Sequence, residues 1–418
     1  MSREEIEQVE KELDEVLEIV QRPVPVKNTG REETVSLQEN LQENDPLQEE
    51  MQIETEKEEK EEKEDSPESA AKEQTAVSEE ELDLEDDIEN GYFHFLRPSD
   101  GLIAAFFVPV AVLIILFAQR GIFPFGEECF LRTDMYHQYA PFFSEFQYKL
   151  KQGGSLLYSW DIGMGVNFSA LYAYYLASPV NWLIILCPKK FIIEFMTILI
   201  MVKTGLCGVT FTWYLDHHFE KKHFVAGVFG IFYALSGYMA AYSWNIMWLD
   251  CIFLLPLILY GLEQLVQEKK GLFYCVTLGL SILSNYYISI MICIFMVMYV
   301  IVQVILYPPK KIKDLVATGV RFGFYSLLAG GLAAVVLLPE IYALQATASG
   351  DFDFPKTISC YFSIFDMIAR HIGNVGTEIG LDHWPNIYCG VAVLMFLLLY
   401  LGAKKITVRE KAVYCGLL

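Results

Sequence analysis

The chain has 418 residues, is 53% hydrophobic and carries a formal net charge of −22. Residues 1–100 contain 34 Asp and Glu against 10 Lys and Arg, so only 19 acidic and 21 basic residues of the totals of 53 and 31 remain for the rest. This distribution excludes the basic patch of a nucleic-acid-binding protein. It separates an acidic tail from an apolar, nearly neutral remainder, and no nucleic-acid partner is expected.

The tail, residues 1–95, is polar, acidic and of low complexity, which predicts a disordered segment because too little apolar surface is available to offset chain entropy. Near its start, apolar residues recur at three- and four-residue steps and predict an amphipathic helix at 3–21. That helix would dock a protein partner of the tail, or would form only transiently. The apolar residues are Ile6, Val9, Leu13, Val16 and Val20.

The remainder, 96–418, reads as an all-α integral membrane domain. Its first apolar run, GLIAAFFVPVAVLIILFA, has eighteen residues without a charge, about the length that crosses a bilayer. Eight spans are predicted, at 101–118, 191–215, 224–243, 251–266, 272–284, 286–306, 315–338 and 387–403.

The orientation of these spans follows from the basic residues in their connections. With eight spans, the four basic connections at 217–223, 268–270, 308–314 and 403–411 fall on one side together with the N-terminal tail. The positive-inside rule makes that side, and the N-terminus, cytoplasmic. This places the chain in a cell membrane with multiple passes.

Two long loops, 119–190 and 339–386, then face outward. The first is too aromatic to be disordered. Within it, a helix is predicted from Pro141 to just before Gly153, with an apolar stripe that would lie on the membrane surface. The segment YAYYLASPVNWLIILCP (172–188) is interpreted as interfacial or re-entrant, because Ser, Pro and Asn interrupt it.

Three aspartates occur near the outer face, where ionisable groups suggest function. Asp134 follows the first span, and Asp250 precedes the fourth; either carboxylate could act as a general base. The alternative for Asp134 is a helix N-cap, and for Asp250 an interfacial cap. Asp161, flanked by two glycines, is more typical of a turn.

Four other polar residues are candidates. Arg132 suits a bidentate contact to phosphate or to Asp134. Lys203 lies inside the second span and requires an anionic partner, such as a lipid phosphate, unless it snorkels. His137 is a proton carrier or a core residue, and Asn285 is a turn residue or a ligand. No spacing matches a metal motif, so no cofactor is assigned, although a divalent metal remains compatible with the sequence.

Three stretches of the sequence resemble a known protein family. They are DMYHQYAPFFSEFQYKLKQGGSLLYSWDIGMGVNFSALYAYYLASPVNWLIILCP, SGYMAAYSWNIMWLDCIFLLPLILYGLE and LSNYYISIMICIF. From about residue 95 onward the chain resembles the bacterial YfhO family. That family looks like part of the GT-C superfamily, whose multi-span glycosyltransferases use polyprenyl-phosphate-linked sugars on the outer leaflet. Its members are associated with glycosylating lipoteichoic acid or related polymers in Gram-positive bacteria.

The resemblance implies roles for particular residues. Asp134 matches the catalytic acid of the first outer loop, and Asp250 the acidic residue of the next. Asp134 would then accept a proton from an acceptor hydroxyl of the cell-wall polymer, while Arg132 or Lys203 stabilises the departing polyprenyl phosphate. Aromatic residues would line the approach of sugar and lipid. These are Tyr136, Tyr139, Trp160 and Tyr172.

Two other functions stay open. A transporter or lipid flippase predicts polar groups at mid-membrane and internal repeats, and only Lys203 is clearly of that kind. A non-catalytic envelope assembly protein would use the tail to recruit partners. Family members are longer than this chain, and ITVREKAVYCGLL (406–418) reads as the start of another span, so an N-terminal fragment is expected.

Overall fold

The computed structural model describes residues 100–220, 224–346, 362–372, 376–377, 379 and 384–417. The predicted acidic tail and its helix at 3–21 lie outside these residues, as does much of the loop predicted at 339–386.

The described residues are mostly helical, which confirms the predicted class of an all-α membrane protein. The helices are α1 (Asp100–Gln119), α2 (Ala140–Gln152), α3 (Phe168–Leu171), α4 (Ile192–His218), α5 (Phe224–Ala234), α6 (Gly237–Tyr242), α7 (Ile246–Gln267), α8 (Leu272–Ser284), α9 (Tyr286–Leu306), α10 (Ile312–Leu332), α11 (Ala334–Gln345), α12 (Ile364–Ala369), α13 (Val391–Gly402) and α14 (Val408–Leu417). A two-stranded antiparallel hairpin joins β1 (Tyr158–Ser159) to β2 (Val166–Asn167).

Within the described ranges, six helical stretches are long and apolar enough to cross a membrane: α1, Lys189–His218, Phe224–Tyr242, α7, α9 and α10. The predicted fifth and eighth spans correspond to α8 and α13, which have 13 and 12 residues. A helix rises 1.5 Å per residue, so each reaches only about 20 Å, less than the ~30 Å hydrocarbon core of a bilayer. A seventh candidate is a bent pair, Phe168–Leu176 with Pro179–Leu186, whose halves meet at 102°.

That bent pair coincides with the segment interpreted as interfacial or re-entrant. A π-helical turn, Tyr172–Leu176, ends before Ser178, and a 3₁₀ helix begins at Pro179. The 3₁₀ helix is fastened to α2, because the Gln147 amide donates to the carbonyl oxygens of Ile184 and Cys187, each at 2.8 Å. The far end of the 3₁₀ helix is therefore held to α2 by side-chain hydrogen bonds.

Helix α2 has nearly the predicted limits and ends at Gly153, whose φ of +66° gives the left-handed C-cap. Its predicted position on the membrane surface is wrong. Phe143 and Phe146 are 2% and 0% exposed and belong to the protein core, because α4 and the bent pair cover the apolar stripe. The first loop therefore packs into the helical bundle through α2, and the apolar stripe of α2 faces protein.

Helices α1, α4 and α5 pack closely at glycines. A Cβ at Gly208 of α4 would collide with the Ala105 carbonyl oxygen of α1, and one at Gly227 of α5 would collide with the Gly101 backbone. Small residues of this kind let membrane helices approach at short range. A second core lies between α7, α8, α9 and α10.

Candidate functional site

Asp134 lies on a tight turn between the loop after α1 and helix α2. Thr133, immediately before it, adopts a left-handed conformation with φ of 49°, which is uncommon for a residue with a side chain. A π-helical turn, Met135–Tyr139, follows, and its buried ends fix the turn in the core. Asp134 occupies the N-cap position, but its side chain makes no capping bond and is exposed. The carboxylate is therefore available to a ligand.

Tyr136 and His137, which follow in the same turn, are also exposed. Tyr136 is 64% exposed, and its ring meets the His137 ring edge-on with centroids 5.2 Å apart. Arg132 and Asp134 form no ion pair within 4.0 Å in the described part of the chain. Arg132 instead lines a large cleft.

This cleft, here called the arginine cleft, has a volume of about 1090 Å³. Aliphatic side chains of α1 form one wall, and residues of α4, α5 and α6 form the other. Two arginines, Arg120 and Arg132, lie among its lining residues, with Glu128 as their acidic neighbour. Thr204 of α4 also lines it and is only 2% exposed, yet its hydroxyl has no hydrogen-bond partner among the described residues. The apolar part of the lining includes Val112, Leu113, Leu116, Phe117, Ile200, Ala234, Leu235 and Met239.

Behind the Asp134 turn stands a row of four tyrosines, here called the tyrosine wall: Tyr139, Tyr175, Tyr174 and Tyr286. Successive ring centroids are 5.6, 4.6 and 5.9 Å apart. Burial and then the Asp134 carboxylate raise the pKa of Tyr139 well above its ordinary value, so its phenol stays protonated. That hydroxyl donates to Asn245 Oδ1 at 2.7 Å, and the Tyr175 hydroxyl donates to Gln138 Oε1 at 3.0 Å.

Asp250 and Lys203 form a buried ion pair, with Nζ and Oδ2 2.5 Å apart and side chains 2% and 0% exposed. The other carboxylate oxygen of Asp250 accepts from the Ser178 hydroxyl at 2.7 Å, and Lys203 also donates to the Ile246 carbonyl at 3.2 Å. Both predicted residues are thereby occupied by protein partners. The pair ties α4 and α7 to the bend between the π-helical turn and the 3₁₀ helix.

The other predicted residues lie in two further places. Trp160 and Asp161 are exposed at the tip of the β-hairpin, which a buried bond from Ser159 to Glu145 Oε1 (2.6 Å) fastens to α2. Asn285 is fully buried at the start of α9, where its side chain accepts from the Ile288 amide and donates to the Tyr174 carbonyl at 2.9 Å.

Sequence reasoning missed Ser178, Thr204, Asn245 and Glu340. Glu340 of α11 is 5% exposed; its Oε1 accepts from the Tyr286 hydroxyl at 2.6 Å, and its Oε2 is buried without a partner in the described structure. Glu340 directly follows the predicted span 315–338, as Asp134 follows the first span. An acidic residue close to the end of a predicted span therefore could have identified both. In the described ranges, no group of three or more His, Cys, Asp and Glu residues is placed to hold a metal ion.

The family model described as bacterial membrane protein YfhO matches residues 104–418. The chain belongs to the YfhO family. It is therefore a bacterial multi-pass membrane protein associated with the lipid bilayer, as the resemblance implied. No curated protein and no solved structure matches this YfhO chain.

Proposed function

We propose that this YfhO protein is a membrane glycosyltransferase that moves a sugar from a polyprenyl-phosphate donor to a cell-wall polymer such as lipoteichoic acid. The observation that carries the proposal is that Asp134, an exposed carboxylate, follows two residues after Arg132, which lines a cleft with an apolar wall and a second arginine. A lipid with an anionic head group requires an apolar wall for its chain and basic residues for its phosphate. Transfer of the attached sugar requires a base close by to accept the proton of the acceptor hydroxyl.

The arginine cleft suits the donor's lipid phosphate. Aliphatic residues of α1 offer a surface for the polyprenyl chain, and Arg132 and Arg120 offer donors to phosphate oxygens. The unpartnered hydroxyl of Thr204 supplies a further donor on the same lining. Because buried polar groups in proteins are nearly always hydrogen-bonded, this hydroxyl favours a polar ligand in the cleft.

The reaction is an inverting displacement. The acceptor hydroxyl oxygen forms a bond to the anomeric carbon while the bond from that carbon to the phosphate oxygen breaks, and its electron pair leaves with the polyprenyl phosphate. Asp134 accepts the proton of the attacking hydroxyl. Arg132 stabilises the negative charge that develops on the phosphate.

Other candidates take lesser parts in the proposal. Tyr136 and Trp160, which are 64% and 76% exposed, offer rings to the sugar or the lipid, with Asp161 beside the second ring. Asp250 and Lys203 neutralise each other, so we assign both a positioning role rather than catalysis or phosphate binding. Asn285 supports Tyr174, and His137 receives no role.

We place the reaction on the outer face, with the N-terminus in the cytoplasm. The basic connections at 217–223 and 268–270, which follow the second and fourth long helical stretches, support this orientation. The acceptor polymer lies on that side of the membrane, so the Asp134 turn must face it for the proposed transfer.

A second candidate is a transporter or flippase. The buried Lys203–Asp250 pair favours it, because ion pairs between membrane helices often mark ion or proton pathways. Wall-polymer glycosylation, measured by mass spectrometry in cells with and without the protein, separates the two. Loss of a sugar modification supports the transferase, provided that purified protein in vesicles transfers the sugar itself. An unchanged profile would favour transport or an assembly role.

A further inference from the structure

A second cavity, here called the apolar groove, lies between the first loop and α11 and has a volume of about 510 Å³. Its lining combines Tyr172 and Trp182 of the bent pair with Leu283 of α8 and Val336 of α11. Two of its lining residues, Ala177 and Val336, are buried and belong to one core cluster, so the cavity reaches into the protein. Among the described residues, none lines both the apolar groove and the arginine cleft.

The lining of the apolar groove includes no charged side chain in the described part of the chain. Its polar side-chain groups already have partners within the protein. The Ser169 hydroxyl donates to Asn167 Oδ1 at 2.7 Å, and the Tyr172 hydroxyl accepts from the Trp182 indole N–H at 3.0 Å. The arginine cleft, by contrast, contains two arginines. The apolar groove therefore suits an uncharged hydrocarbon chain, because burying a charge there without a partner would cost free energy.

Exposed apolar side chains continue the apolar groove outward. Leu157, Trp182 and Val335 line the groove and are exposed, as is Leu332 at the end of α10. Helix α10 is one of the stretches long and apolar enough to cross the membrane, and such a helix presents its exposed apolar side chains to lipid. The groove is thus continuous with the surface that meets the bilayer, and a lipid chain enters it without crossing water.

A π-helical turn, Tyr172–Leu176, places the apolar groove next to the Asp134 turn. The first residue of this π-helical turn lines the groove, whereas Tyr175 donates to Gln138 Oε1 of the Asp134 turn at 3.0 Å. The arginine cleft reaches the same turn through Arg132, two residues before Asp134. Two cavities, one with cations and one without charge, therefore border the turn that carries the proposed base.

Sugar transfer brings two substrates to one base, and the arginine cleft accounts only for the donor. We propose that the apolar groove binds an acyl chain of the membrane anchor that carries the acceptor polymer, and thereby holds the anchored end of the polymer beside Asp134. The assignment rests on the proposed function and identifies the acceptor as a lipid-linked molecule. An anchor held in this way raises the effective concentration of the acceptor hydroxyls at the base.

The test compares two acceptors in vesicles that contain the protein: a diacylglycerol-linked glycerol phosphate oligomer, and the same oligomer without acyl chains. Val336→Phe fills the buried part of the apolar groove. We expect its KM for the acylated oligomer to rise about three- to tenfold, because tails of the surrounding lipid are equally apolar and only close packing is lost. KM for the oligomer without acyl chains and for a polyprenyl-phosphate hexose should stay unchanged. Leu338→Phe, at an exposed residue of α11 outside the groove lining, is the matched control.

The pattern of changes decides the assignment. A rise in KM for both acceptors would indicate a structural effect, and a rise for the donor would give the groove to the donor's chain. Either result overturns the assignment, as does an unchanged KM for the acylated oligomer in folded Val336→Phe.

Photolabelling of the unsubstituted protein covers the case in which Val336→Phe fails to fold. A diazirine on the acyl chain of the oligomer should label groove residues such as Leu283 and Val336, as located by mass spectrometry. Excess acylated oligomer without the diazirine should suppress this labelling, and the same excess of phosphatidylglycerol should not.

Three results of these measurements contradict the anchor site. Suppression by phosphatidylglycerol would give the groove to ordinary bilayer lipid, and a changed oligomeric state of Val336→Phe would give it to a second copy of the chain. Labelling confined to other surfaces would leave the groove without the anchor. No transfer to either acceptor by the unsubstituted protein would instead overturn the proposed function, while the labelling still decides whether the groove holds the acyl chain.

Discussion

Lys203 of α4 and Asp250 of α7 are 47 residues apart in sequence and form an ion pair of 2.5 Å between two side chains that solvent hardly touches. The Ser178 hydroxyl binds the second carboxylate oxygen, so the pair also fixes the bend before the 3₁₀ helix. Charges inside a membrane bundle are tolerated when each compensates the other.

Removing one member of this pair should destabilise the protein strongly. Lys203→Met or Asp250→Leu leaves one uncompensated buried charge, at an expected cost of about 3–5 kcal/mol. The double variant removes both charges and should recover much of that loss. Thermal unfolding in detergent measures the three variants, and single variants as stable as the unsubstituted chain would contradict the pairing.

Asp134→Asn should abolish most sugar transfer without affecting insertion. The side chain is exposed and caps nothing, so folding does not depend on its charge, whereas a positioned base contributes about 10²–10⁴-fold to the rate. Transfer from a polyprenyl-phosphate donor is measured with purified protein. Glu127→Gln serves as the control, and full activity of Asp134→Asn would exclude the assigned base.

Arg132→Gln should weaken binding of the lipid donor. Its guanidinium lines the arginine cleft, and losing one charged hydrogen-bond donor to phosphate typically reduces affinity by about tenfold or more. Arg132→Lys keeps the charge but loses the bidentate geometry, so its KM for the donor should lie between those of Arg132→Gln and the unsubstituted protein. The measurement is KM for the donor; Lys189→Gln, at an exposed lysine outside the cleft, should leave it unchanged.

The orientation is testable through Cys129, an exposed thiol in the first loop. In a chain that keeps only this cysteine, a membrane-impermeant maleimide should label intact cells. A chain that carries only Lys270→Cys, in the basic connection at 268–270, should react only after permeabilisation. The reverse pattern would place the Asp134 turn in the cytoplasm and remove it from the outer polymer.

Asn285→Ala should destabilise the junction between α8 and α9. It removes the N-cap of α9 and the bond to the Tyr174 carbonyl, with an expected loss of about 1–2 kcal/mol for the cap alone. Asn285→Ser retains a neutral capping oxygen and loses the amide donor, so its thermal unfolding should lie nearer to that of the unsubstituted chain. Equal effects of both variants would assign the loss to the Tyr174 bond.

Much of the architecture was predictable because long apolar runs form helices wherever lipid is the solvent. The first span, helix α2 and the break before Pro179 follow from local composition. The burial of α2 was not predictable, since its stripe of phenylalanines suits a lipid surface as well as a protein core. What covers such a stripe depends on segments distant in sequence.

The residues of the candidate site likewise include some that the sequence predicts and some that only the structure reveals. Arg132 and Asp134 could be found from the sequence, because charges directly after an apolar span are costly unless they serve a purpose. The partner of Asp250 could not, since a carboxylate near a membrane reads equally as a base, a cap or half of an ion pair.

The sequence by itself determined a membrane bundle, its family and the exposed turn at Asp134, since all three depend on local composition and residue order. Tertiary structure alone decided that Lys203 neutralises Asp250, that Tyr139 binds Asn245 106 residues later, and that Tyr286 binds Glu340 54 residues later. The physical reason is that burial turns a polar side chain into one that must find a partner. Only the packed bundle fixes which partner lies within reach.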